Sequence, residues 1–182
     1  MKYLKTVLLL VSISTSLSCV NTSKKAENKA ENIDERLSEQ MLEQKEGKKE
    51  KLIDFDVHQL IEEAKKARGK AYCPYSNFQV GAALLTESGK IYTGANVENA
   101  SYGLTCCAER NAIFKAVLEG DKKIKAIAIV LDAPDFGAPC GACRQVINEF
   151  GKDALVIMAT VNGKCKVEPM PNLLPYAFNL DA

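Results

Sequence analysis

Cys107-Ala108-Glu109 opens one segment of helical pattern, and Pro139-Cys140-Gly141-Ala142-Cys143 opens another. Thiols that share a partner across this gap force two helix starts to one place, with the intervening strand and loop folded behind them. Cys140 and Cys143 are three apart, so one helical turn puts both sulfurs on the same side, and Pro139 suits the approach to a helix start. Helix N-termini carry partial positive charge, which lowers thiol pKa and favours the thiolate that a metal needs. The seven cysteines are completed by Cys19, Cys73, Cys106 and Cys165. An odd total at these spacings does not match a small secreted disulfide framework, so metal binding or thiol chemistry is the better reading.

The elements around these groups alternate. Val57, Leu60, Ile61 and Ala64 share one helical face behind an aspartate cap, and Gly69 closes that helix. Phe78, Val80, Ala82 and Leu84 alternate with their neighbours as a strand, and residues 87–90 turn the chain into a second strand over 91–95. Helices over 107–119 and 140–150 each stop at a glycine, and the apolar runs 124–131 and 154–160 read as buried strands. Asn162-Gly163 is a turn signal, and a short helix around Leu173 and Leu174 ends the domain. This alternation predicts a three-layer α/β/α fold with a central mixed sheet, occupying residues 53–182.

The chemistry follows from the donor set. Zinc held by three protein ligands keeps its fourth position for water, as a catalytic site requires. Glu109 stands two residues after Cys107, near the first turn of a helix, where a carboxylate faces that water without coordinating the metal. A ligand, one residue, a glutamate, then Pro-Cys-x-x-Cys is the signature of zinc deaminases of nucleobases, with an all-cysteine variant allowed. Three thiolates leave one net negative charge on the zinc site, and Arg110 is placed to offset it.

Three further segments extend the match. Residues 75–84 (Tyr-Ser-Asn-Phe-Gln-Val-Gly-Ala-Ala-Leu), residues 96–102 (Asn-Val-Glu-Asn-Ala-Ser-Tyr) and Cys140-Gly141-Ala142-Cys143-Arg144-Gln145 resemble the small, homotetrameric, all-cysteine cytidine deaminases. The resemblance implies one zinc per subunit, and conversion of cytidine and deoxycytidine to uridine and deoxyuridine with release of ammonia. It further implies that Asn96 and Glu98 hold the ribose hydroxyls, that Phe78 packs against the pyrimidine, and that Ala108 contacts the substrate. Tyr102 and Phe178 would complete pockets of neighbouring subunits. By residue type alone, Phe78 and Phe178 read equally as core aromatics and Asn96 as a turn residue. His58, the one histidine, sits among polar neighbours on the first helix and reads as solvent-facing.

Rival readings use the same chemistry or the same fold. A deaminase of a cytosine-bearing antibiotic would lack a use for the ribose segment. A zinc-stabilised binding module without activity would want a fourth protein ligand and no Glu109. Lysine plus arginine number 24 against 23 aspartate plus glutamate, a formal net charge of +1. There is no broad basic field of the kind that gathers nucleic acid.

The N-terminus carries a different message. Lys2 and Lys5 precede an apolar run over 7–11 that is too short to span a bilayer. Leu17-Ser18-Cys19 resembles the lipobox of bacterial lipoproteins, with Ser16 where that motif has a branched aliphatic residue. This predicts a signal peptide over 1–18, a lipidated Cys19, and a charged flexible tether over 19–52 that holds the domain near a membrane. The alternatives are an uncleaved apolar N-terminus or a start codon placed too early, with the cytoplasmic location expected of a pyrimidine-salvage enzyme.

Overall fold

A computed structural model describes residues 55–180. The signal segment, Cys19 and the tether lie outside the described residues. The elements are α1 (Val57–Arg68), β1 (Val80–Thr86), β2 (Ile91–Ala95), α2 (Ala108–Leu118), β3 (Ile124–Leu131), α3 (Gly141–Gly151), β4 (Leu155–Thr160), β5 (Cys165–Pro169) and α4 (Met170–Leu173). A single 3-10 turn, Tyr102–Leu104, precedes α2. Asp56 starts α1 by accepting a hydrogen bond from the Gln59 amide at 3.0 Å, which satisfies one of the helix's unpaired N–H groups.

The five strands lie in the order β2-β1-β3-β4-β5. β3 and β4 pair in parallel, and the other neighbours pair antiparallel. A parallel pair needs a crossover, and α3 supplies it. Two glycines show how the helices cover both faces. A Cβ on Gly81 would lie 2.1 Å from the Ala64 carbonyl oxygen of α1, and one on Gly94 would lie 2.4 Å from the Ala112 nitrogen of α2. Gly81 pairs with Ala95 and Gly94 with Ala82, so the two glycines point to opposite faces of the β1–β2 hairpin. The layers are therefore α1, then the sheet, then α2 on the far side, as the alternation of elements predicts.

The core sits mainly between the sheet and α2 with α3. Ala82, Leu84, Ile127, Ile129, Val156 and Met158 form one cluster with Ile113 and Ile147 of the helices. Across β1, β3 and β4 these residues lie in register, Leu84 opposite Ile127 opposite Val156. The sheet's other face packs on Leu60, Ile61 and Ala64 of α1, all buried.

Three expectations need correction. β1 starts at Val80, so Phe78 precedes the strand, and 81–84 are buried in succession rather than alternately. The reason is that helices cover both faces of this central strand, which erases the two-residue period. A fifth strand, β5, follows the turn at Asn162-Gly163; its residues Cys165, Lys166 and Glu168 carry no apolar pattern because it is an edge strand with little to bury. The last helix begins earlier than expected, at Met170, and ends before Leu174.

Strand direction decides where function sits. β2 and β3 both run antiparallel to β1, so they share a direction, and their last residues, Ala95 and Leu131, lie opposite Gly81 and Val80 at the start of β1. The segments leading to α2 and α3 thus leave the sheet at one edge, the same edge at which the chain enters β1. Ligand sites of open α/β sheets form at such carboxyl ends.

Candidate active site

Cys107 and Cys140 are the N-cap residues of α2 and α3, and neither makes a side-chain capping bond. At this position Ser, Thr, Asp or Asn would bond the helix's own amides. Cysteine leaves both amides and sulfur available. Cys143 follows in the first turn of α3, fully buried, whereas Cys140 is exposed. Among the described residues, Cys107, Cys140 and Cys143 form the one cluster of three or more such side chains able to hold a metal, with all ligand atoms within 4.8 Å of one another. Cys107 Sγ and Cys140 Sγ are 4.0 Å apart. Zinc–sulfur bonds of about 2.3 Å in tetrahedral array put sulfurs roughly 3.8 Å apart, so the donor set fits zinc with a small inward movement.

The charges around the cluster fit as well. Arg110 donates from Nη2 to the Thr105 carbonyl at 2.9 Å and to Cys107 Sγ at 3.6 Å. Its Nε is buried without a hydrogen-bond partner among the described residues. Cys107 is pushed well below the usual thiol range, first by the hydrogen bond from the Cys143 thiol and next, among the groups that favour the thiolate, by Arg110. The Cys143 thiol moves the opposite way, because it is the proton donor of the pair and because it is buried. A dication bound here would displace the remaining thiol protons.

Glu109 sits in the first turn of α2, between the ligand Cys107 and the cation Arg110 in sequence, and is 4% exposed. Burial raises its carboxyl above the ordinary carboxylate range, and the Cys107 charge pushes the same way. A carboxyl of raised proton affinity is the kind that general acid–base chemistry uses. Ala108, immediately before it, is fully buried.

The other expected residues lie at the same sheet edge but in two groups. Asn96 and Glu98 follow β2, and both are committed to the segment that carries Phe78. Asn96 Oδ1 accepts from the Val80 amide at 2.8 Å, and its Nδ2 donates to the Phe78 carbonyl at 2.9 Å. Glu98 accepts from the Tyr75 amide at 2.9 Å, from the Ser76 amide at 3.3 Å and from the Ser76 hydroxyl. The hydroxyl and the two amides hold its carboxyl below the ordinary range. Neither Phe78 nor Phe178 is a core residue: they are 45% and 66% exposed. Tyr102 is 68% exposed and meets Tyr75 edge-on, ring centroids 5.9 Å apart. His58 is half-buried on α1, so the expectation of a solvent-facing side chain holds only in part.

Residue type and spacing assign no role to Arg144 and Gln145, although both stand beside Cys143. Arg144 donates to the Pro139 carbonyl at 2.8 Å and to the Leu173 carbonyl at 2.9 Å. Gln145 donates to the Phe178 carbonyl at 2.8 Å. The helix that presents two thiols therefore also holds the C-terminal segment. Cys73, Cys106 and Cys165 form no disulfide among the described residues, and burial raises the pKa of Cys106 and Cys165.

Comparison with known proteins gives the same picture. Residues 56–159 match the family model described as the cytidine and deoxycytidylate deaminase zinc-binding region. The chain is 51% identical over 125 residues to a cytidine deaminase of Sporosarcina psychrophila, covering 68% of this chain and 92% of that one. It is 50% identical over 127 residues to the cytidine deaminase of Halalkalibacterium halodurans, covering 69% and 96%. A crystal structure of cytidine deaminase from Burkholderia pseudomallei superposes with a TM-score of 0.66 at 52% identity, covering 68% of this chain and 100% of that one.

The sulfur cluster yields a direct expectation. Purified protein should carry about one zinc per chain, and Cys107→Ala, Cys140→Ala or Cys143→Ala should lose most of it together with thermal stability, because the metal joins two helix starts. Cys106→Ala should keep its zinc. Metal analysis beside a melting curve checks both; loss of zinc from the Cys106 variant with retention in the Cys107 variant would move the ligand assignment by one residue.

Proposed function

The chain belongs to the cytidine deaminase family, whose reaction is zinc-dependent hydrolytic deamination, and on that premise we propose how its own residues divide the work. Cys107, Cys140 and Cys143 hold the metal, Glu109 carries protons, and Phe78, Asn96, Glu98 and Ala108 receive the nucleoside. The observation that carries this reading is the buried Glu109 beside three convergent sulfurs.

Cytidine or deoxycytidine and water become uridine or deoxyuridine and ammonia. When bound, the metal would supply Lewis acidity, which lowers the pKa of a bound water towards about 7. Glu109 would take one proton from the attacking water on a carboxylate oxygen and deliver it to the ring nitrogen beside the reacting carbon, as the water oxygen bonds to that carbon. It would then carry the remaining hydroxyl proton to the amino nitrogen, so that the carbon–nitrogen bond breaks, ammonia leaves and the oxygen stays as the carbonyl. Burial raises the proton affinity of Glu109 above that of an ordinary carboxylate. Arg110 offsets the excess charge of the thiolates, which would otherwise oppose deprotonation of the water.

Glu109→Gln should keep zinc and lose about 100-fold to 10,000-fold in kcat, since an amide cannot shuttle a proton. Ammonia release by the zinc-loaded variant at a near-normal rate would remove Glu109 from the mechanism.

A homotetramer is proposed because Tyr102 and Phe178 are exposed at 68% and 66% in the single chain, beside a site they would close in a neighbour. Specific activity should then fall with the oligomer on dilution. Sedimentation of a fully active monomer would refute the interface roles.

For the address we propose a lipid-anchored protein, on the strength of Lys2, Lys5, the apolar run and Cys19. The alternative is the cytoplasmic location expected of a salvage enzyme. Fractionation of the native host and the mass of the mature chain decide between them. An acylated Cys19 as N-terminus in the membrane fraction supports the anchor, and an unmodified soluble chain refutes it. No described helix is long and apolar enough to cross a membrane.

A further inference from the structure

The residues expected to meet the sugar are already held by the protein, and one hydroxyl links them. Glu98 has about four lone-pair sites, of which three are filled by the Tyr75 amide, the Ser76 amide and the Ser76 hydroxyl. The same Ser76 oxygen accepts from the Phe78 amide at 3.0 Å. Ser76 thus stands between a carboxylate with one acceptor site left and the backbone of the exposed aromatic. The turn that makes this contact is unusual in its backbone: Asn77 has φ +56°, in the left-handed region, and its amide bonds the Cys73 carbonyl at 3.0 Å. Beyond the turn, Asn96 grips the Phe78 carbonyl and the Val80 amide, so the segment is fixed on both sides of the ring.

We propose that Ser76 is a positioning residue for nucleoside recognition, which orients the Glu98 carboxylate towards a sugar hydroxyl and sets Phe78 against the base through the same oxygen. This rests on the deaminase reading of the site. Without the hydroxyl, Glu98 keeps only backbone partners from one direction and gains freedom to rotate. The free acceptor site is then no longer aimed, and the Phe78 amide loses its partner. Sugar and base contacts weaken together. Both act on substrate and transition state alike, so the loss appears in KM rather than in kcat.

The test is a double-mutant cycle on the zinc-loaded full chain with cytidine, comparing wild type, Ser76→Ala, Glu98→Ala and the pair. Ser76→Ala should raise KM about tenfold, the scale of one hydrogen bond to a charged acceptor, with zinc content unchanged and kcat altered less than about threefold. In the Glu98→Ala background the same substitution should cost clearly less in kcat/KM than it does in the wild type, because the carboxylate is already gone and only the Phe78 amide contact is left to lose. Equal losses in both backgrounds, an unchanged KM, or a fall in kcat alone would each overturn the proposal. Ser76→Cys, similar in shape but a weak donor, carries the same test should the alanine variant fail to fold. A zinc-loaded wild type inactive on cytidine would sink the deaminase reading and this proposal with it, whereas an active wild type matched by Ser76→Ala sinks this proposal alone.

Discussion

Three sulfurs within 4.8 Å of one another impose the condition that the rest of the domain meets. As thiolates they repel, by about 4 kcal/mol per pair at 4 Å in a protein-like dielectric. Two helix N-termini, one half-buried arginine and a dication are the means by which such a cluster becomes stable. α2 and α3 each begin at one of the cysteines, so their positive ends face the cluster, and Arg110 reaches back to Cys107 from the first turn of the same helix.

That condition propagates into the packing. Both helix starts must stay at one sheet edge, and close contact between layers keeps them there. α2 lies so near β2 that Gly94 has no room for a side chain, and Asn111 of α2 donates to the last carbonyl of that strand at 2.8 Å. α3 is held at its start by Arg144 on the Pro139 carbonyl, and the same guanidinium reaches the end of α4. The segments that carry Phe78, Asn96 and Glu98 are built differently, from loops laced by side-chain hydrogen bonds. Helix starts hold the three sulfurs and Glu109.

Much of this is legible in the amino-acid sequence. The convergent cysteines are readable because Cys140 and Cys143 are one helical turn apart and Cys107 stands at the start of a second helix. Glu109 stands out because it lies in the first turn of α2, two residues after Cys107. The helices and the inner strands follow from apolar periodicity and from glycines that close them. β5 is hidden because an edge strand buries little, and the start of β1 is obscured because a strand covered on both faces has no alternation to mark its limits. Ser76, Arg144 and Gln145 give no signal of their own, since polar residues of these types are common on any surface.

The sequence by itself determined the donor set, the order of helices and strands, and the charge that a metal would have to balance, because each depends on residue type and on spacing within a few positions. Only the tertiary structure decided that Cys107 and Cys140, 33 positions apart, stand 4.0 Å from each other. It did so through strand direction: β2 and β3 run the same way on either side of β1, which delivers both helix starts and the entry to β1 to one edge. Tertiary structure alone also set Glu98 and Asn96 to grip the Phe78 segment. Hydrogen-bond partners some twenty residues apart are chosen by the folded backbone, and no local pattern in the chain records that choice.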